Sequence, residues 1–354
     1  MYKVTVIGAG DRGGAYMNAL RELGGGVEFA SVCDILADRQ EKAFSEYGFK
    51  YQSADWKEAI LNGKPDIVVI ATPAYFHCDM AKFAMENGAH VMTEKPFDLS
   101  LEKCFELKEV SEKTGKKLAI GLQYRNTKYN RTLKNAFERN LLGRPVYMNY
   151  KDIRETRPKI AMHDAKFGNG GPIVDMSCHF FDLMSWYFDS KPKSVFAIWD
   201  SHAKDRKMLT SIENKAPDTA MITIKYESGD VGNIVLGWGL PPKVNGDCGG
   251  SAVGPNGFLK PGGDTAWIVT ENAEEISVGA SAEVDEIAKN PEVTVLRNLI
   301  GAIEGKCELQ TSFEDGIYTL AASMAAIKSS VLGRSVEINE ILELKPTILE
   351  CMNK

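Results

Sequence analysis

A glycine-rich turn directly after the first apolar run is the feature that most constrains the fold of this 354-residue chain. The run is Lys3–Ile7, and the glycines Gly8, Gly10 and Gly13 form the pattern G-x-G-x-x-G. The pattern alone is a weak signal. Here a helix-like stretch follows it and Asp34 ends the next apolar run, as in a dinucleotide-binding βαβ unit. In such a unit the first glycine permits a tight turn, the second lets pyrophosphate approach the backbone, and the third lets the helix pack on the strand.

The first third of the chain alternates short apolar runs with amphipathic stretches, which is typical of a parallel sheet covered by helices on both faces. The predicted strands are Lys3–Ile7, Val27–Val32, Ile67–Ala71, His90–Thr93 and Lys117–Gly121. The predicted helices lie near residues 12–22, 37–47, 76–87 and 101–113. We therefore predict an N-terminal Rossmann dinucleotide-binding domain over residues 1–122.

Beyond residue 122 the pattern changes to strands that follow one another with few helices between them. The predicted strands are Val146–Ile153, Ser194–Ile198, Thr219–Tyr226, Gly232–Gly239 and Thr265–Thr270, with Ser228-Gly229-Asp230 as a hairpin turn. The predicted helices are Thr127–Arg139, Pro172–Phe188 and Phe313–Ser330. This indicates a C-terminal α/β domain over residues 123–354 with a mostly antiparallel open sheet. The late helix, about 313–330, is a candidate to pack back on the first domain.

A glycine-rich segment, residues 245–263, is long for a connection between elements. One interpretation is a mobile surface loop, and the other is a lid or a subunit contact.

Composition narrows the classes of protein and of partner. Hydrophobic residues make up 44% of the chain and charged residues 25%, as in ordinary globular proteins. The formal net charge is −6 with mixed signs, which argues against nucleic acid as a partner because phosphate binding needs clustered Lys and Arg. No apolar run reaches the roughly 20 residues of a membrane span, and no signal sequence precedes the first strand. With seven scattered cysteines and no CxxC, we expect free thiols and a cytoplasmic protein with no membrane partner.

Asp34 bears on the choice of cofactor. Its carboxylate is expected to accept hydrogen bonds from the adenosine ribose and to repel a 2′-phosphate, which favours NAD over NADP. Arg39 lies close enough in sequence to keep NADP open. The alternative is a plain glycine turn with Asp34 as a helix cap. Backbone N–H groups at the helix start, around Asp11 and Arg12, are expected to hold the pyrophosphate, and Thr72-Pro73 at another strand end is expected to border it.

Two further segments carry ionisable side chains. Lys95 follows a buried strand within Glu94-Lys95-Pro96, although a lysine there ordinarily just emerges into solvent. On a helix that starts at Pro172, Asp175, His179 and Asp182 are spaced i, i+4 and i+7 and share one face. Such a stripe on an apolar helix is costly unless the groups are paired or face a polar cavity. The alternative to a site is a core network in which His179 is hydrogen-bonded to an acid.

These segments together resemble the Gfo/Idh/MocA oxidoreductases. The matching motifs are Gly8-x-Gly10-x-x-Gly13, Asp34, Thr72-Pro73…His77, Glu94-Lys95-Pro96 and Asp175-x-x-x-His179-x-x-Asp182. Their order and spacing extend the resemblance over nearly the whole chain. It implies an NAD(P) Rossmann domain followed by an α/β domain with an open sheet. One face of that sheet covers the substrate site in relatives and the other often joins subunits, so we expect a homo-oligomer, a dimer or tetramer, formed through the open sheet.

The resemblance also implies roles for individual residues. Lys95 matches the lysine beside the reacting hydroxyl, His179 the acid/base histidine and Asp175 its polar partner, whereas Asp182 is interpreted as structural. Oxidation of a secondary alcohol delivers a hydride to nicotinamide and a proton to a base, and histidine, with an ordinary pKa near 6.5, accepts that proton at neutral pH. The ammonium group of Lys95 would stabilise developing alkoxide character. The expected cofactor contacts are Gly8, Gly10, Asp11, Arg12, Gly13, Asp34, Arg39, Thr72, Pro73, His77, Glu94 and Lys95.

The expected substrate is a small carbohydrate or glycoside. Polar side chains with aromatic neighbours suit a polyhydroxylated ring, and Trp238 is either a platform for that ring or a core residue. The candidate contacts are Lys95, Tyr124, Arg125, Arg154, Arg157, His163, Asn169, Asp175 and His179. The Gly-x-Gly-x-Arg-Gly form of the loop is similar to that of members that act on intact glycosides, some of which oxidise C3 of the glucosyl ring.

Two alternative functions and the question of a metal ion also bear on the chemistry. One alternative is redox-neutral cleavage of a glycoside, in which NAD is reduced and then regenerated. Another is a dinucleotide-binding regulator, against which the retained set of Lys95, Asp175 and His179 argues. No metal is expected, because His163, Asp164, Asp175 and His179 lack a compact ligand spacing.

Overall fold

The computed structural model describes residues 1–244, 246–262, 265–270, 275–278 and 290–353. The described chain forms two compact units. Unit 1 contains Met1–Asp98, Glu102–Gln123 and Asn290–Ile317. Unit 2 contains Leu99–Leu101, Tyr124–Lys289 and Tyr318–Lys354, as far as these ranges are described.

A six-stranded parallel sheet forms the centre of unit 1. Its strands are β1 (Tyr2–Ile7), β2 (Val27–Cys33), β3 (Tyr51–Ser53), β4 (Ile67–Ile70), β5 (His90–Thr93) and β6 (Leu118–Ile120). The order across the sheet is β3-β2-β1-β4-β5-β6, with every pairing parallel. This is the doubly wound Rossmann order, in which ligands bind beyond the carboxyl ends of the strands where the winding reverses, here between β1 and β4. The predicted Rossmann sheet is confirmed.

Twelve helices are present in the described ranges. In chain order they are α1 (Asp11–Leu23), α2 (Ala37–Tyr47), α3 (Trp56–Gly63), α4 (His77–Glu86), α5 (Leu101–Thr114), α6 (Lys128–Glu138), α7 (Pro172–Asp175), α8 (Ser177–Phe188), α9 (Pro291–Ile303), α10 (Phe313–Leu332), α11 (Ile338–Leu344) and α12 (Ile348–Met352). None of them, within the described ranges, combines the length and the apolarity needed to cross a membrane.

The core of unit 1 is completed by a segment from late in the sequence. Tyr16 and Leu20 of α1 pack with strand residues such as Val4, and Leu296 and Leu299 of α9 belong to the same buried cluster. A helix about 280 residues away in sequence therefore covers α1, the helix that starts at the glycine-rich turn. Its packing fixes where the amino terminus of α1 lies within unit 1.

Unit 2 is built on a nine-stranded mixed sheet. Its strands are β7 (Tyr147–Glu155), β8 (Pro192–Asp200), β9 (Thr219–Tyr226), β10 (Val231–Leu240), β11 (Asp247–Gly254), β12 (Gly257–Gly262), β13 (Thr265–Thr270), β14 (Glu275–Val278) and β15 (Val336–Glu337). The order is β14-β13-β12-β11-β7-β10-β9-β8-β15. Among the described strands of this second sheet, only β7 and β10 pair in parallel, so the predicted, mostly antiparallel sheet is confirmed.

One face of this sheet is covered by α8. Tyr150 of β7 stacks on Phe180, with ring centroids 4.5 Å apart, and Tyr226 of β9 meets Phe188 edge-on at 5.0 Å. The continuous apolar composition of α8 follows from this packing, because most of its residues are buried.

The helix predicted over Pro172–Phe188 is wrong as a single element. It is divided at Met176 into α7 and α8. The backbone N–H of His179 donates to the carbonyl of Met176 at 3.1 Å, a bond of the tighter i→i−3 type, while the carbonyl of Asp175 accepts the Cys178 thiol at 3.3 Å. Asp175 and His179 therefore stand on two successive short helices.

The glycine-rich segment is a β-hairpin over its described residues 246–262, so the loop interpretation was wrong there; residues 245 and 263 lie outside the described ranges. Strand β11 pairs with β7 and with β12, and the glycines allow close approach. A Cβ at Gly250 would lie 2.7 Å from the Tyr150 ring, and one at Gly254 would lie 2.3 Å from the carbonyl oxygen of Leu142. Only glycine fits at these positions without displacing the neighbour.

Candidate active site

The glycine-rich turn connects β1 to α1 at the point where the winding of the unit 1 sheet reverses. Gly8 has a φ of +91°, and a Cβ there would lie 2.6 Å from the carbonyl oxygen of Ala71, which follows β4. A Cβ at Gly13 would lie 1.8 Å from the carbonyl oxygen of Gly8. Both positions therefore require glycine, the first for its backbone conformation and the second for the contact between turn and helix.

The amino terminus of α1 fits a bound pyrophosphate. Its N-cap residue is Gly10, which offers no side-chain oxygen to the first N–H groups of the helix. A Cβ at Gly10 would meet only the Arg39 guanidinium, 3.3 Å away, so the backbone is open to a ligand there. Helix N–H groups of this kind attract phosphate through hydrogen bonds and the helix dipole. The residues present thus fit NAD.

Asp34 ties the turn to the end of β2. One carboxylate oxygen accepts the N–H of Ala9 at 2.7 Å and the other accepts the N–H of Leu36 at 2.9 Å. Helix α2 begins with Leu36 as its N-cap residue, so Asp34 is not the helix cap that the alternative interpretation required. The carboxylate lies beside the glycine-rich turn, where a ribose hydroxyl can donate to it in place of one of these two N–H groups.

Arg39 and Asp11 belong to a cleft between α1 and α2. Its lining includes Gly10, Asp11, Gly14, Arg39, Lys42 and Tyr47. The cleft adjoins the glycine-rich turn within unit 1, so a ligand bound at the turn can extend into the cleft.

Arg12 is held by two carboxylates. Its guanidinium lies 2.7 Å from Oε1 of Glu94 and 2.9 Å from Oε1 of Glu292 on α9. Burial acts to lower the pKa of Arg12, but the charges of Glu94 and Glu292 outweigh it and raise the pKa, so the group stays cationic. Glu94 also accepts the N–H of Lys95 at 3.1 Å. Arg12 and Glu94, both predicted as cofactor contacts, therefore form an ion pair with each other. Lys95 is the next residue in sequence after Glu94.

His77 links the turns after β4 and β5. Its Nε2 lies 2.9 Å from the carbonyl oxygen of Thr72, next to Pro73, and its Nδ1 lies 2.9 Å from the carbonyl oxygen of Pro96. The side chain is buried, and this burial lowers its pKa. With both ring nitrogens occupied by the backbone, His77 positions the two turns and has no nitrogen left for the cofactor contact predicted for it.

In unit 2, His179 is held against an aromatic ring. The rings of Tyr124 and His179 are stacked, with centroids 3.9 Å apart and planes within 11°. Asp175 accepts a hydrogen bond from the amide of Asn169 at 2.9 Å. Asp175 and His179 are therefore buried, and each is oriented by a named neighbour within unit 2.

Arg125 forms a buried, two-pronged ion pair with Asp182. Its Nε donates to one carboxylate oxygen at 2.9 Å and its NH2 group donates to the other. The pair orders the segment that carries Tyr124. Asp182 is thus paired within the core of unit 2, and the two donors of Arg125 directed at it are not available to a substrate.

The remaining substrate candidates lie around Trp238. Arg154 donates to Asp152, whose other oxygen accepts the Trp238 indole N–H at 2.7 Å. The Arg157 guanidinium lies 5.9 Å from the Trp238 ring centroid, and the Nε2 of His163 donates to the carbonyl of Arg157 at 2.9 Å. Trp238 is 2% exposed, which makes it a core residue and excludes the stacking platform.

Sequence reasoning missed three residues at these sites. They are Asp152, Glu292 and Arg206, whose guanidinium donates to the carbonyl of Gly239 at 2.8 Å. Asp152 had a detectable signal, because it shares the inward face of β7 with Met148 and Tyr150, and a carboxylate there needs partners. Among the described residues, no group of three or more His, Cys, Asp and Glu side chains is arranged to hold a metal ion.

Comparison with known proteins identifies the family of the chain. The oxidoreductase family model with an NAD-binding Rossmann fold matches residues 2–122, and the GFO/IDH/MocA C-terminal domain model matches residues 130–257. The 1,5-anhydro-D-fructose reductase of Ensifer adhaerens is 24% identical over 91% of this chain and 94% of its own length. The D-glucoside 3-dehydrogenase of Escherichia coli is 23% identical over 95% of this chain and 97% of its own.

A solved structure shares the fold. The WlbA dehydrogenase from Bordetella pertussis, crystallised in complex with NADH and UDP-GlcNAcA, matches with a TM-score of 0.77 at 20% identity over 95% of this chain and 98% of that one. With one family model on each of two successive segments and relatives aligned over nearly its full length, this chain belongs to the Gfo/Idh/MocA family of NAD-binding oxidoreductases.

Proposed function

We propose that this protein catalyses the NAD-dependent oxidation of a secondary hydroxyl on a sugar, a glycoside or a cyclitol. The observation that carries the proposal is the buried His179 ring stacked on Tyr124, in a chain whose first sheet carries a complete dinucleotide-binding turn. Two relatives aligned over most of the chain are named for a sugar reductase and a glucoside dehydrogenase, which supports a carbohydrate substrate.

His179 is the proposed base. The hydroxyl loses its proton to the His179 imidazole, while bound NAD supplies the hydride acceptor. Stacking on Tyr124 fixes the plane of that imidazole, so its nitrogens keep one direction during proton transfer. Asp175, anchored by Asn169, binds a neighbouring hydroxyl or orients the ring. Lys95, as an ammonium ion, stabilises the developing negative charge on oxygen. His163, Arg154 and Arg157 are proposed as further substrate contacts.

Asp34 is the proposed determinant of NAD preference. Asp34→Ala is expected to weaken NAD binding about tenfold and NADP binding much less, because it removes a ribose acceptor and also a negative charge that repels the 2′-phosphate. Calorimetric titration with each cofactor measures both affinities. Asp38→Ala, on the exposed side of α2, serves as the control. Equal losses for the two cofactors would show that Asp34 acts only by holding Ala9 and Leu36.

The oxidised carbon is proposed to be C3 of a pyranoside. Support comes from the Gly-x-Gly-x-Arg-Gly turn and from the similarity to a glucoside 3-dehydrogenase. Incubation of methyl glucoside with the protein and NAD, followed by NMR of the product, tests this position. A ketone at C3 agrees with the proposal, and a ketone at another carbon contradicts it.

The outer face of the unit 2 sheet is proposed as the surface that forms a homo-oligomer, in a cytoplasmic protein. Large apolar side chains are exposed on this face along several strands, and the principal ones are Tyr147, Phe196, Ile198, Met221, Val253 and Phe258. Ile198 pairs with Met221 across β8 and β9, and Tyr147 pairs with Val253 across β7 and β11. An exposed apolar surface of this extent is typical of a subunit contact.

Met221→Glu is expected to convert the oligomer to monomer, because a two-fold contact presents the new charge twice. Light scattering after gel filtration measures the mass. Leu344→Glu, which changes an equally apolar residue on α11 that is 72% exposed, is the control and is expected to leave the mass unchanged. A wild-type chain that is monomeric at micromolar concentration would refute the proposed contact.

A further inference from the structure

Three arginines in unit 2 contact Trp238, its hydrogen-bond partner Asp152 or the adjacent Gly239, near the carboxyl ends of the parallel strands β7 and β10. Arg154 reaches Asp152, Arg157 lies 5.9 Å from the Trp238 ring centroid, and Arg206 donates to the carbonyl of Gly239. We call Arg154, Arg157 and Arg206 the arginine cluster. The Nε atoms of all three are buried and have no hydrogen-bond acceptor among the residues the structure describes. Buried donors are almost always paired in folded proteins, so this cluster lacks an acceptor.

The charges of the cluster are only partly compensated. Asp152 is buried and forms an ion pair with Arg154, which neutralises one of the three guanidinium groups. Within the described ranges, no carboxylate lies within ion-pair distance of Arg157 or Arg206. Two positive charges therefore remain at partly buried positions, where an anion is attracted strongly because the surroundings screen charge less than water does.

Asp152 also explains why the cluster is rigid. It accepts the Trp238 indole N–H at 2.7 Å and the Cys248 thiol at 3.3 Å, in addition to Arg154. The indole anchored in this way presents its ring to Arg157. A guanidinium held over an aromatic ring keeps its planar donors in one orientation, which suits a bidentate acceptor such as a carboxylate or a phosphate.

Backbone hydrogen bonds connect the cluster to the proposed catalytic segment. The carbonyl of Arg157 holds His163, and the carbonyl of Met162, one residue before it, accepts the N–H of Gly171 at 2.9 Å. Gly171 directly precedes α7, which ends at Asp175. The arginine cluster and Asp175 are thus parts of one hydrogen-bonded region of unit 2.

From this geometry we infer that the arginine cluster binds an anionic group, a carboxylate or a phosphate, carried by the sugar substrate. The inference rests on the proposed function for the identity of the ligand as a sugar, and it narrows the substrate class to acidic sugars. Arg157 is the principal contact because its uncompensated guanidinium is oriented by the Trp238 ring, whereas Arg206 already donates to the carbonyl of Gly239 and is the second donor. Asp152 is a positioning residue that acts through Trp238 and Arg154.

Three matched probes test the inference by calorimetry, which requires no turnover. They are methyl glucopyranoside, the corresponding methyl glucuronide and methyl glucoside 6-phosphate, each titrated into the protein with NADH bound. One of the acidic probes is expected to bind at least about tenfold more tightly than the neutral glycoside, as a charged hydrogen bond gained on binding requires. The tighter of the two acidic probes identifies the anion as a carboxylate or a phosphate.

Arg157→Gln is expected to abolish this preference, and Arg157→Lys to restore part of it. The affinity for the neutral glycoside is expected to change much less. Arg139→Gln, on an exposed position after α6, keeps the same change of charge and is expected to retain the preference. Three results would overturn the inference. They are equal affinity for all three probes, no binding of any probe, and an equal loss of affinity for the neutral and acidic probes in Arg157→Gln.

Incubation of the same probes with the protein and NAD, in place of NADH, separates this inference from the proposed function. Selective binding of an acidic probe without formation of NADH would support the anion site and refute the dehydrogenase. NADH formed from the neutral glycoside alone would support the dehydrogenase and refute the anion site.

Discussion

His179→Ala is expected to lower turnover at least about a hundredfold while the affinity for NAD stays within about twofold of the wild-type value. The imidazole is the proposed acceptor of the hydroxyl proton, and no other group is proposed to replace it. NAD affinity survives because the glycine-rich turn and Asp34 belong to unit 1, whereas His179 belongs to unit 2. Steady-state kinetics with NAD and the best sugar measure turnover, and calorimetry measures cofactor binding.

His90→Asn is the matched control for this substitution. His90 lies at the start of β5, and its Nδ1 accepts the N–H of Lys117 at 3.0 Å, a contact that the asparagine oxygen can replace. The control therefore removes an imidazole at the amino end of β5, whereas Lys95 follows the carboxyl end of that strand. It is expected to retain wild-type turnover. Turnover of His179→Ala close to that of the control would remove His179 from the mechanism.

Asp182→Asn is expected to lower the free energy of unfolding by about 3–5 kcal/mol, because it leaves the Arg125 guanidinium buried without its counter-charge. The two side chains are 1% and 9% exposed, so water replaces little of the lost interaction. Urea unfolding followed by circular dichroism measures the change. Turnover is expected to fall as well, because Arg125 is adjacent to Tyr124, the residue that holds the His179 ring.

Two further variants isolate the buried pair. Glu138→Gln removes the exposed partner of Lys134 from a surface ion pair and is expected to cost less than about 1 kcal/mol. The double variant Arg125→Met with Asp182→Leu is expected to recover most of the lost stability, because it removes both buried charges. If Asp182→Asn cost no more than Glu138→Gln, the pair would contribute nothing beyond a surface contact.

The elements best predicted from the sequence are those whose pattern is set by burial. Strand β9 was predicted at its observed bounds, since its residues alternate between covered and open faces. Strand β4 was predicted one residue too long, as Ile67–Ala71, and its existence was evident because all four of its residues are buried. Strand β3 and helix α3 were not predicted, since β3 has only three residues and neither has a long periodic pattern. Helix α9 was also missed, because it is rich in valine and isoleucine, which favour strands.

The parts of the site that the sequence did not reveal depend on contacts distant in the chain. Glu292 meets Arg12 across 280 positions, so no local spacing connects them. The motif around Asp175 and His179 was recognised, but the break at Met176 depends on which carbonyl the N–H of His179 contacts. The hairpin at 246–262 was interpreted as a loop because glycine is rare in strands, and the need for glycine arises only from the close neighbouring strand.

The central claim, oxidation of a carbohydrate hydroxyl by NAD, is tested most directly by mixing the protein with NAD and a panel of neutral sugars, acidic sugars, glycosides and inositols. The absorbance of NADH reports hydride transfer. We expect NADH from at least one carbohydrate class, and loss of that signal in Lys95→Ala and in His179→Ala. No NADH from any member of the panel, with NAD nevertheless bound, would contradict it. Release of an aglycone would then indicate redox-neutral glycoside cleavage, and its absence a dinucleotide-binding regulator.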